Sequence, residues 1–122
     1  LGVAVDYMME IGMQEIAAHE ASICAYARQK LDGLNWLTVQ GQSASKGAIF
    51  SFTLDGAAHA HDISTVLDKK GIAVRAGHHC AQPLMDHLSV NATCRASFAM
   101  YNTTAEVDAL VEGLEFCHEL FG

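Results

Sequence analysis

The chain has 122 residues, of which 51% are apolar and 17% charged, with a single proline; this composition is typical of one folded domain, taken as residues 1–122, and excludes a disordered chain. Fourteen acidic and seven basic residues give a formal net charge of −7, which repels phosphate backbones and argues against a nucleic-acid partner. No stretch approaches ~18 uninterrupted apolar residues and the amino terminus lacks a basic start, so we expect a soluble, cytoplasmic protein without a membrane partner.

Two helices are predicted at the start of the chain. Apolar residues recur at helical spacing over residues 3–11 and about 13–32, with Gly12 between the two patterns. Cys24 falls within the second apolar pattern and is expected in the core. Three methionines of this region are expected to serve packing rather than cofactor contact: Met8, Met9 and Met13.

A hairpin is predicted next, because the apolar period changes from helical to strand-like after Trp36. Residues 37–40 and 50–54 both alternate apolar and polar side chains, and the polar segment 41–47 lies between them. This pattern is typical of two antiparallel strands joined by a loop.

A third helix and a long loop follow the hairpin. Residues 61–70 return to helical spacing, and Gly71 stands where a helix C-terminal glycine belongs. A short strand is predicted over residues 72–75. Residues 76–91 show no sustained period and contain the proline, so we expect a long loop with about one helical turn. Long loops in compact domains are often functional.

The last two elements are a strand and a helix. The predicted core-facing set of the strand is Cys94, Ala96, Phe98 and Met100, and Arg95 faces the other way. Thr103 and Glu106 fit a capping box, after which one apolar stripe, including Cys117, predicts a helix. The order of elements predicts an α+β fold with helices packed on one side of a small mixed or antiparallel sheet.

The densest cluster of reactive side chains lies in the segment RAGHHCAQPL: Arg75, His78, His79 and Cys80. A thiol beside two imidazoles and a guanidinium lies among groups that favour the thiolate, which is the nucleophilic form. The loop position also leaves the thiol accessible. The alternative is an inert, buried cysteine with histidines that cap turns. Because the four cysteines of the chain form no CxxC pair, we expect reduced thiols.

A second interpretation of this region is a metal site built from four ligands: His78, His79, Cys80 and His87. Imidazole and thiolate suit zinc or iron. Adjacent side chains diverge along an extended backbone, however, and the fourth ligand has no regular spacing, so the metal interpretation is disfavoured. His59 and His61 are expected to cap a helix rather than to bind metal.

Arg95 lies in the middle of an otherwise apolar strand, where an always-charged, planar guanidinium needs an anionic partner. Binding of a carboxylate ligand is one use of such a group, and a structural salt bridge to one of the fourteen acidic residues is the other. The sequence contains no dinucleotide-binding glycine motif, P-loop or nucleophile-elbow serine.

These motifs together resemble a known family. The segment 75–84, followed by CRAS at 94–97 and MYN at 100–102, resembles the active-site stretch of group II, or Suf-type, cysteine desulfurases. That family is related to selenocysteine lyases and belongs to class V of the aminotransferase fold. Further similar stretches are 16–20, 54–56, 61–63 and 71–75, so the resemblance covers essentially the whole chain. RxGHHCxxPL coupled to CRAS at this spacing is a highly specific combination.

The resemblance implies the small C-terminal domain of a fold-type I, pyridoxal-phosphate-dependent transferase, which moves sulfur from L-cysteine to an active-site cysteine persulfide and releases alanine. It implies that Cys80 is the nucleophile and that Arg95 holds the substrate carboxylate. Arg75 corresponds to an arginine close to the persulfide, and His78 and His79 correspond to the flanking pair. The implied partners are L-cysteine, a Suf-type sulfur-acceptor protein for iron–sulfur cluster assembly, and a second subunit of a homodimer.

The cofactor of that family, pyridoxal 5′-phosphate, is held by a large domain whose Schiff-base lysine follows a Ser/Thr-His pair. None of the lysines here has that setting: Lys30, Lys46, Lys69 and Lys70. The chain also begins at Leu1 inside a helical pattern, without an initiator methionine. We therefore expect a piece of a desulfurase that lacks the cofactor-binding domain, binds no cofactor and is inactive alone. The alternatives are a non-catalytic persulfide carrier or interaction module, a selenocysteine lyase domain, and a small metal-binding protein.

Overall fold

The structure, a computed structural model, describes residues 1–56 and 58–122. Within these ranges, five helices and four strands follow one another along the chain: α1 (Gly2–Ile11), α2 (Met13–Asp32), β1 (Leu37–Gln40), β2 (Ile49–Leu54), α3 (Ala60–Lys69), β3 (Arg75–Gly77), α4 (Gln82–Leu88), β4 (Thr93–Ser97) and α5 (Thr104–Phe121). The predicted pair of helices at the start and the hairpin after it are confirmed. None of the described helices is long and apolar enough to cross a membrane.

The strands of the described residues form one sheet in the order β1-β2-β4-β3, and every neighbouring pair is antiparallel. Phe50 and Phe52 of β2 are fully buried, whereas Ser51 between them is partly exposed. The same alternation buries Cys94 and Ala96 of β4 and directs Arg95 to the opposite face. The predicted α+β fold is therefore confirmed, with an antiparallel sheet.

Helices α2, α3 and α5 cover the buried face of the sheet. Their core side chains join the inward strand residues in one hydrophobic cluster: Ile23, Ala27 and Leu31 of α2, Ile63 and Leu67 of α3, and Val107, Leu110, Leu114 and Cys117 of α5. Because the strands send alternate residues into this cluster, the remaining side chains project from the other sheet face. We call that second surface the open face; it carries Ser51 and Arg95.

The predicted start of α5 and the predicted end of α3 are confirmed by their hydrogen bonds. In the capping box of α5, the Thr103 hydroxyl accepts a hydrogen bond from the Glu106 N–H (3.3 Å), and the Glu106 carboxylate accepts one from the Thr103 N–H (3.0 Å). Gly71 follows α3 with a φ of +79°, and the Ile72 N–H then donates to the Leu67 carbonyl at 2.9 Å. This is the bonding of a glycine-terminated helix.

Two predictions for the segment after α3 are wrong. The strand predicted over 72–75 begins only at Arg75 and continues to Gly77, because β3 forms only where it pairs with β4. The loop predicted over 76–91 was expected to hold about one helical turn, and it contains instead the longer, seven-residue helix α4. Pro83 lies in the first turn of α4, where its missing N–H needs no helical partner, so the proline begins this helix rather than interrupting it.

Some side chains predicted to serve packing or to lie in the core are exposed or only partly buried. Met9 is 68% exposed, because α1 contacts chiefly α2 and has no buried residue. Met13, the first residue of α2, is 55% exposed. Cys24 is only half-buried, at the margin of the core. The last strand ends at Ser97, so Phe98 and Met100 lie beyond it; Phe98 still packs against the core, partly buried.

Candidate functional site

The open face carries a row of polar side chains that crosses the sheet. The strand register places Gln40 opposite Ser51, Ser51 opposite Arg95, and Arg95 opposite Arg75. Two guanidinium groups thus start from directly opposed positions of β4 and β3, an arrangement in which like charges repel. Among the described residues neither arginine forms an ion pair with a carboxylate. An anionic ligand would therefore stabilise this part of the face.

Arg95 lines a cleft of about 400 Å³ between the open face and α4. The apolar wall of the cleft consists of Ile49, Leu84, Met85 and Leu88. The Nε atom of Arg95 is buried and has no hydrogen-bond partner. The salt-bridge interpretation of Arg95 is therefore not supported within the described residues, and a buried charged donor remains available to a ligand in the cleft.

Cys80 lies in a tight turn that begins as β3 ends. The Ala81 N–H donates to the His78 carbonyl at 2.9 Å, which closes a four-residue turn around His79 and Cys80. Both central residues have left-handed backbones, with φ of 56° and 58°. The Cys80 side chain is exposed, and its sulfur lies 4.0 Å from Nη2 of Arg75. The buried-thiol alternative for Cys80 is therefore wrong.

His79 is held inside the site, unlike its neighbour His78, which is exposed. Its Nε2 lies 3.2 Å from the carbonyl oxygen of Thr93 and 2.9 Å from the Thr93 hydroxyl. Burial lowers the pKa of His79 below its usual value, and the nearby charge of Arg95 lowers this pKa further. His79 is consequently the neutral imidazole near pH 7, and its buried Nδ1 has no partner.

The other histidines of the reactive patterns have structural or solvent-facing positions. The Nδ1 atom of His59 accepts a hydrogen bond from the His61 N–H (3.1 Å) and caps α3, as predicted. His87 lies exposed in the last turn of α4. In residues 1–56 and 58–122, no three His, Cys, Asp or Glu side chains come together in a group that could hold a metal ion.

Cys94 and Cys117 are buried in the core, as predicted. Burial raises the pKa of Cys94 to about 12, and burial also raises the pKa of Cys117. The Cys94 thiol donates to the Ala60 carbonyl at 3.1 Å. Of the four cysteines, only Cys80 is exposed, and Cys24 is half-buried, so Cys80 is the thiol most accessible to solvent.

The chain's own residues do not fit a covalent site for pyridoxal phosphate. None of the four lysines is among the described residues that line the cleft with Arg95. Burial lowers the pKa of Lys46, with a further contribution from the Arg28 charge, but its ammonium group packs 4.6 Å from the Phe50 ring centre and donates to the Gly41 carbonyl. These lysines therefore do not supply the amine that a covalent pyridoxal-phosphate site requires.

Two parts of the site were not predicted from the sequence. Thr93 is the buried anchor of the His79 ring, yet a single threonine at the start of a strand carries no recognisable pattern. The apolar wall from α4 was missed because that segment was expected to be mostly loop, with about one helical turn. The apolar residues Leu84, Met85 and Leu88, at spacings of one and three, were the available signal for that wall.

A family model described as aminotransferase class V matches residues 1–110. The chain therefore belongs to the class V aminotransferase family. Curated proteins that are similar to the chain are named cysteine desulfurases. A probable cysteine desulfurase of Halalkalibacterium halodurans is 50% identical over 122 residues, and a cysteine desulfurase of an Enterobacter species is also 50% identical.

Solved structures of cysteine desulfurases are also similar to this chain. The apo cysteine desulfurase of Thermococcus onnurineus superposes with a TM-score of 0.86 at 34% identity and covers 93% of this chain. The S-sulfonic acid form of the Escherichia coli cysteine desulfurase CsdA covers 85% of the chain, with a TM-score of 0.76 and 36% identity. The chain spans 30% of the length of its first two curated relatives and 28% and 26% of the two structures.

Proposed function

We propose that residues 1–122 form the small domain of a cytoplasmic, Suf-type cysteine desulfurase, in which Cys80 receives sulfur from L-cysteine and Arg95 binds the substrate carboxylate. One observation carries this proposal: an exposed thiol in a tight turn stands beside a cleft that contains a buried, unpaired guanidinium donor. A nucleophile and an anion-binding group on one face are what sulfur transfer from an amino acid requires.

The chemistry assigned to this chain is limited to its own residues. The Cys80 thiolate forms an S–S bond with the substrate sulfur, and the C–S bond of the substrate breaks. The electron pair of that bond stays on the substrate carbon, which takes up a proton and becomes alanine, so the thiol and L-cysteine yield the persulfide and alanine. Pyridoxal 5′-phosphate, which activates the substrate for this cleavage, belongs to the proposed cofactor domain outside this chain.

Arg95 and Arg75 have different tasks in this proposal. The planar guanidinium of Arg95 can hold a carboxylate through two parallel hydrogen bonds, which orients the substrate as well as attracting it. The Arg75 guanidinium lies 4.0 Å from the Cys80 sulfur, where it can donate a hydrogen bond to that sulfur and to the persulfide. His78 is exposed beside the thiol and takes a supporting role.

A cofactor domain packed against this chain would also account for the surface of α1. Large apolar side chains of this helix are exposed: Val3 (84%), Tyr7 (58%) and Met9 (68%). Apolar surface of this kind is covered when further protein packs on it. A homodimer, a Suf-type sulfur acceptor and delivery to iron–sulfur cluster assembly complete the proposal. A persulfide carrier without its own desulfurase activity and a selenocysteine lyase are the alternatives.

The test uses the full-length protein that carries this chain, with added pyridoxal phosphate and L-cysteine. Alanine release and a +32 Da mass increase on the Cys80 peptide are the expected results, where the increase is one added sulfur atom. Cys80→Ser abolishes both the persulfide and its transfer to an acceptor, whereas Cys24→Ser, at a half-buried thiol, leaves both in place. A persulfide on another cysteine, or alanine release with no persulfide at all, would overturn the proposal. Release from L-selenocysteine but not from L-cysteine would assign the chain to the lyases.

A further inference from the structure

The turn that carries Cys80 has a conformation that its residues disfavour. His79 and Cys80 are consecutive and both left-handed, with φ of 56° and 58°. Side chains of L-residues crowd the backbone in this region, which is why turns with two positive φ values usually contain asparagine, aspartate or glycine. Cys80 lies outside that set, and His79 is not a usual residue of such turns, although histidine enters the left-handed region more often than most side chains do. Something outside the turn therefore has to hold it in this shape.

Within the described residues, two side-chain contacts reach the turn: Arg75 lies 4.0 Å from the Cys80 sulfur, and Thr93 lies 2.9 Å from the His79 ring. The contact with Thr93 is the shorter one, so it is the one that can hold the backbone of the turn. The turn's own closure is one backbone hydrogen bond, from the Ala81 N–H to the His78 carbonyl. The His79 ring reaches across to β4, where its Nε2 is 3.2 Å from the Thr93 carbonyl oxygen and 2.9 Å from the Thr93 hydroxyl. Thr93 is fully buried and paired with Gly77 in the sheet, so it is a rigid anchor.

The chemistry of the two acceptors determines which tautomer the ring adopts. A carbonyl oxygen can only accept, so a lone pair on Nε2 would face it unfavourably at 3.2 Å. The proton of the neutral ring is therefore on Nε2, and this N–H is shared between the carbonyl and the hydroxyl of Thr93. Of these two acceptors only the hydroxyl can be removed by substitution, because the carbonyl belongs to the backbone.

We propose that Thr93 is a positioning residue for Cys80: its hydroxyl holds the His79 ring, and the ring keeps the turn left-handed so that the Cys80 sulfur stays beside Arg75. The inference rests on the proposed role of Cys80 as sulfur acceptor, but the contacts that it names exist without substrate. If the hydroxyl is lost, the turn relaxes toward ordinary backbone conformations and the thiol leaves the guanidinium.

The experiment measures Cys80 in the 122-residue chain, with folding of each variant checked by circular dichroism and amide NMR spectra. Thr93→Val removes the hydroxyl at nearly constant shape, and Thr93→Ser retains it. Strong intraresidue HN–Hα NOEs report positive φ at His79 and Cys80. The ratio of alkylation rates with anionic iodoacetate and neutral iodoacetamide reports the positive charge beside the thiol, because that charge attracts only the anionic reagent.

For Thr93→Val we expect the relaxed turn to gain population by roughly three- to tenfold, the factor that corresponds to one net hydrogen bond. The NOEs weaken and the iodoacetate-to-iodoacetamide ratio falls toward the value measured for Arg75→Gln. Thr93→Ser restores both readouts. An unchanged ratio with unchanged NOEs in Thr93→Val, or no restoration by Thr93→Ser, would overturn the proposal.

A second pair of variants tests whether Thr93 acts through His79. Asparagine tolerates the left-handed region but is too short to reach Thr93 as the imidazole does. In His79→Asn, the turn is expected to keep its shape, and Thr93→Val then has no further effect. An equal effect of Thr93→Val in both backgrounds would refute the route through His79. None of these readouts requires turnover of L-cysteine, so a failure of the desulfurase proposal would appear separately, as a missing persulfide in the full-length protein.

Discussion

Replacing Arg95 with methionine should stabilise this chain, although Arg95 is the proposed substrate-binding residue. The buried Nε of Arg95 has no hydrogen-bond partner. Arg75 stands directly opposite it in the sheet register. A buried, unpaired donor costs about 1–3 kcal/mol, and the low end applies because Arg95 is only partly buried. Methionine keeps a similar apolar stem without the charge. We expect Arg95→Met to raise the free energy of unfolding by about 1 kcal/mol.

The assay is urea and thermal unfolding of the 122-residue chain, in which that gain corresponds to a midpoint increase of roughly 3 to 5 °C. Arg28→Met is the matched control, because the Arg28 guanidinium donates to the carbonyl oxygens of Gln42 and Ser43 at 3.2–3.3 Å. The control should lose about 0.5 kcal/mol through these partly solvated bonds. In the full-length protein, Arg95→Lys should raise KM for L-cysteine more than it changes stability, since a point charge loses the two-bond geometry.

Arg95→Met could instead lower the free energy of unfolding by as much as the control does. That result would mean that Arg95 contributes to the fold and that its unpaired donor is compensated in solution. Unchanged steady-state kinetics for L-cysteine in Arg95→Lys would separately remove its role as the carboxylate-binding group.

Three further outcomes are expected. Cys80 should be the first of the four thiols to be alkylated near neutral pH, as measured by mass mapping after limited iodoacetamide treatment. Burial raises the pKa of Cys94 to about 12, so labelling of Cys94 before Cys80 would refute the exposed position of the turn. After incubation with pyridoxal phosphate and removal of the free cofactor, the isolated chain should be colourless, and borohydride should trap no stoichiometric adduct on any lysine, Lys46 included. His79 should titrate by NMR below pH 6.5, the ordinary midpoint for histidine, because burial and then Arg95 lower its pKa. Since the folded chain binds this proton less readily than the unfolded chain, the His79 contribution to stability is complete above pH 6.5 and is lost as pH falls below it. A midpoint at or above the unfolded value would contradict the buried, neutral ring.

The sequence alone determined the elements whose pattern is local. The alternation of apolar and polar side chains in the hairpin and in residues 94–97 predicted the strands of the sheet. It also predicted that Arg95 points away from the core, because the side-chain period of a strand is two residues. The capping box at Thr103 and the glycine after α3 predicted helix ends through bonds within a few residues. The motif around Cys80 also predicted where the exposed thiol lies, since the residue types that surround it are adjacent in the chain.

Only the tertiary structure decided which distant residues meet. Pairing of β3 with β4 brings Arg75 opposite Arg95, twenty residues apart in the sequence, and brings His79 to Thr93. The start of β3 and the length of α4 were mispredicted for the same reason: a three-residue strand and a seven-residue helix have little intrinsic stability and form because of what they pack against. The exposure of α1 could not be predicted from the sequence either. An apolar pattern predicts that one face of a helix packs against other protein, but it does not say whether that protein belongs to the same chain.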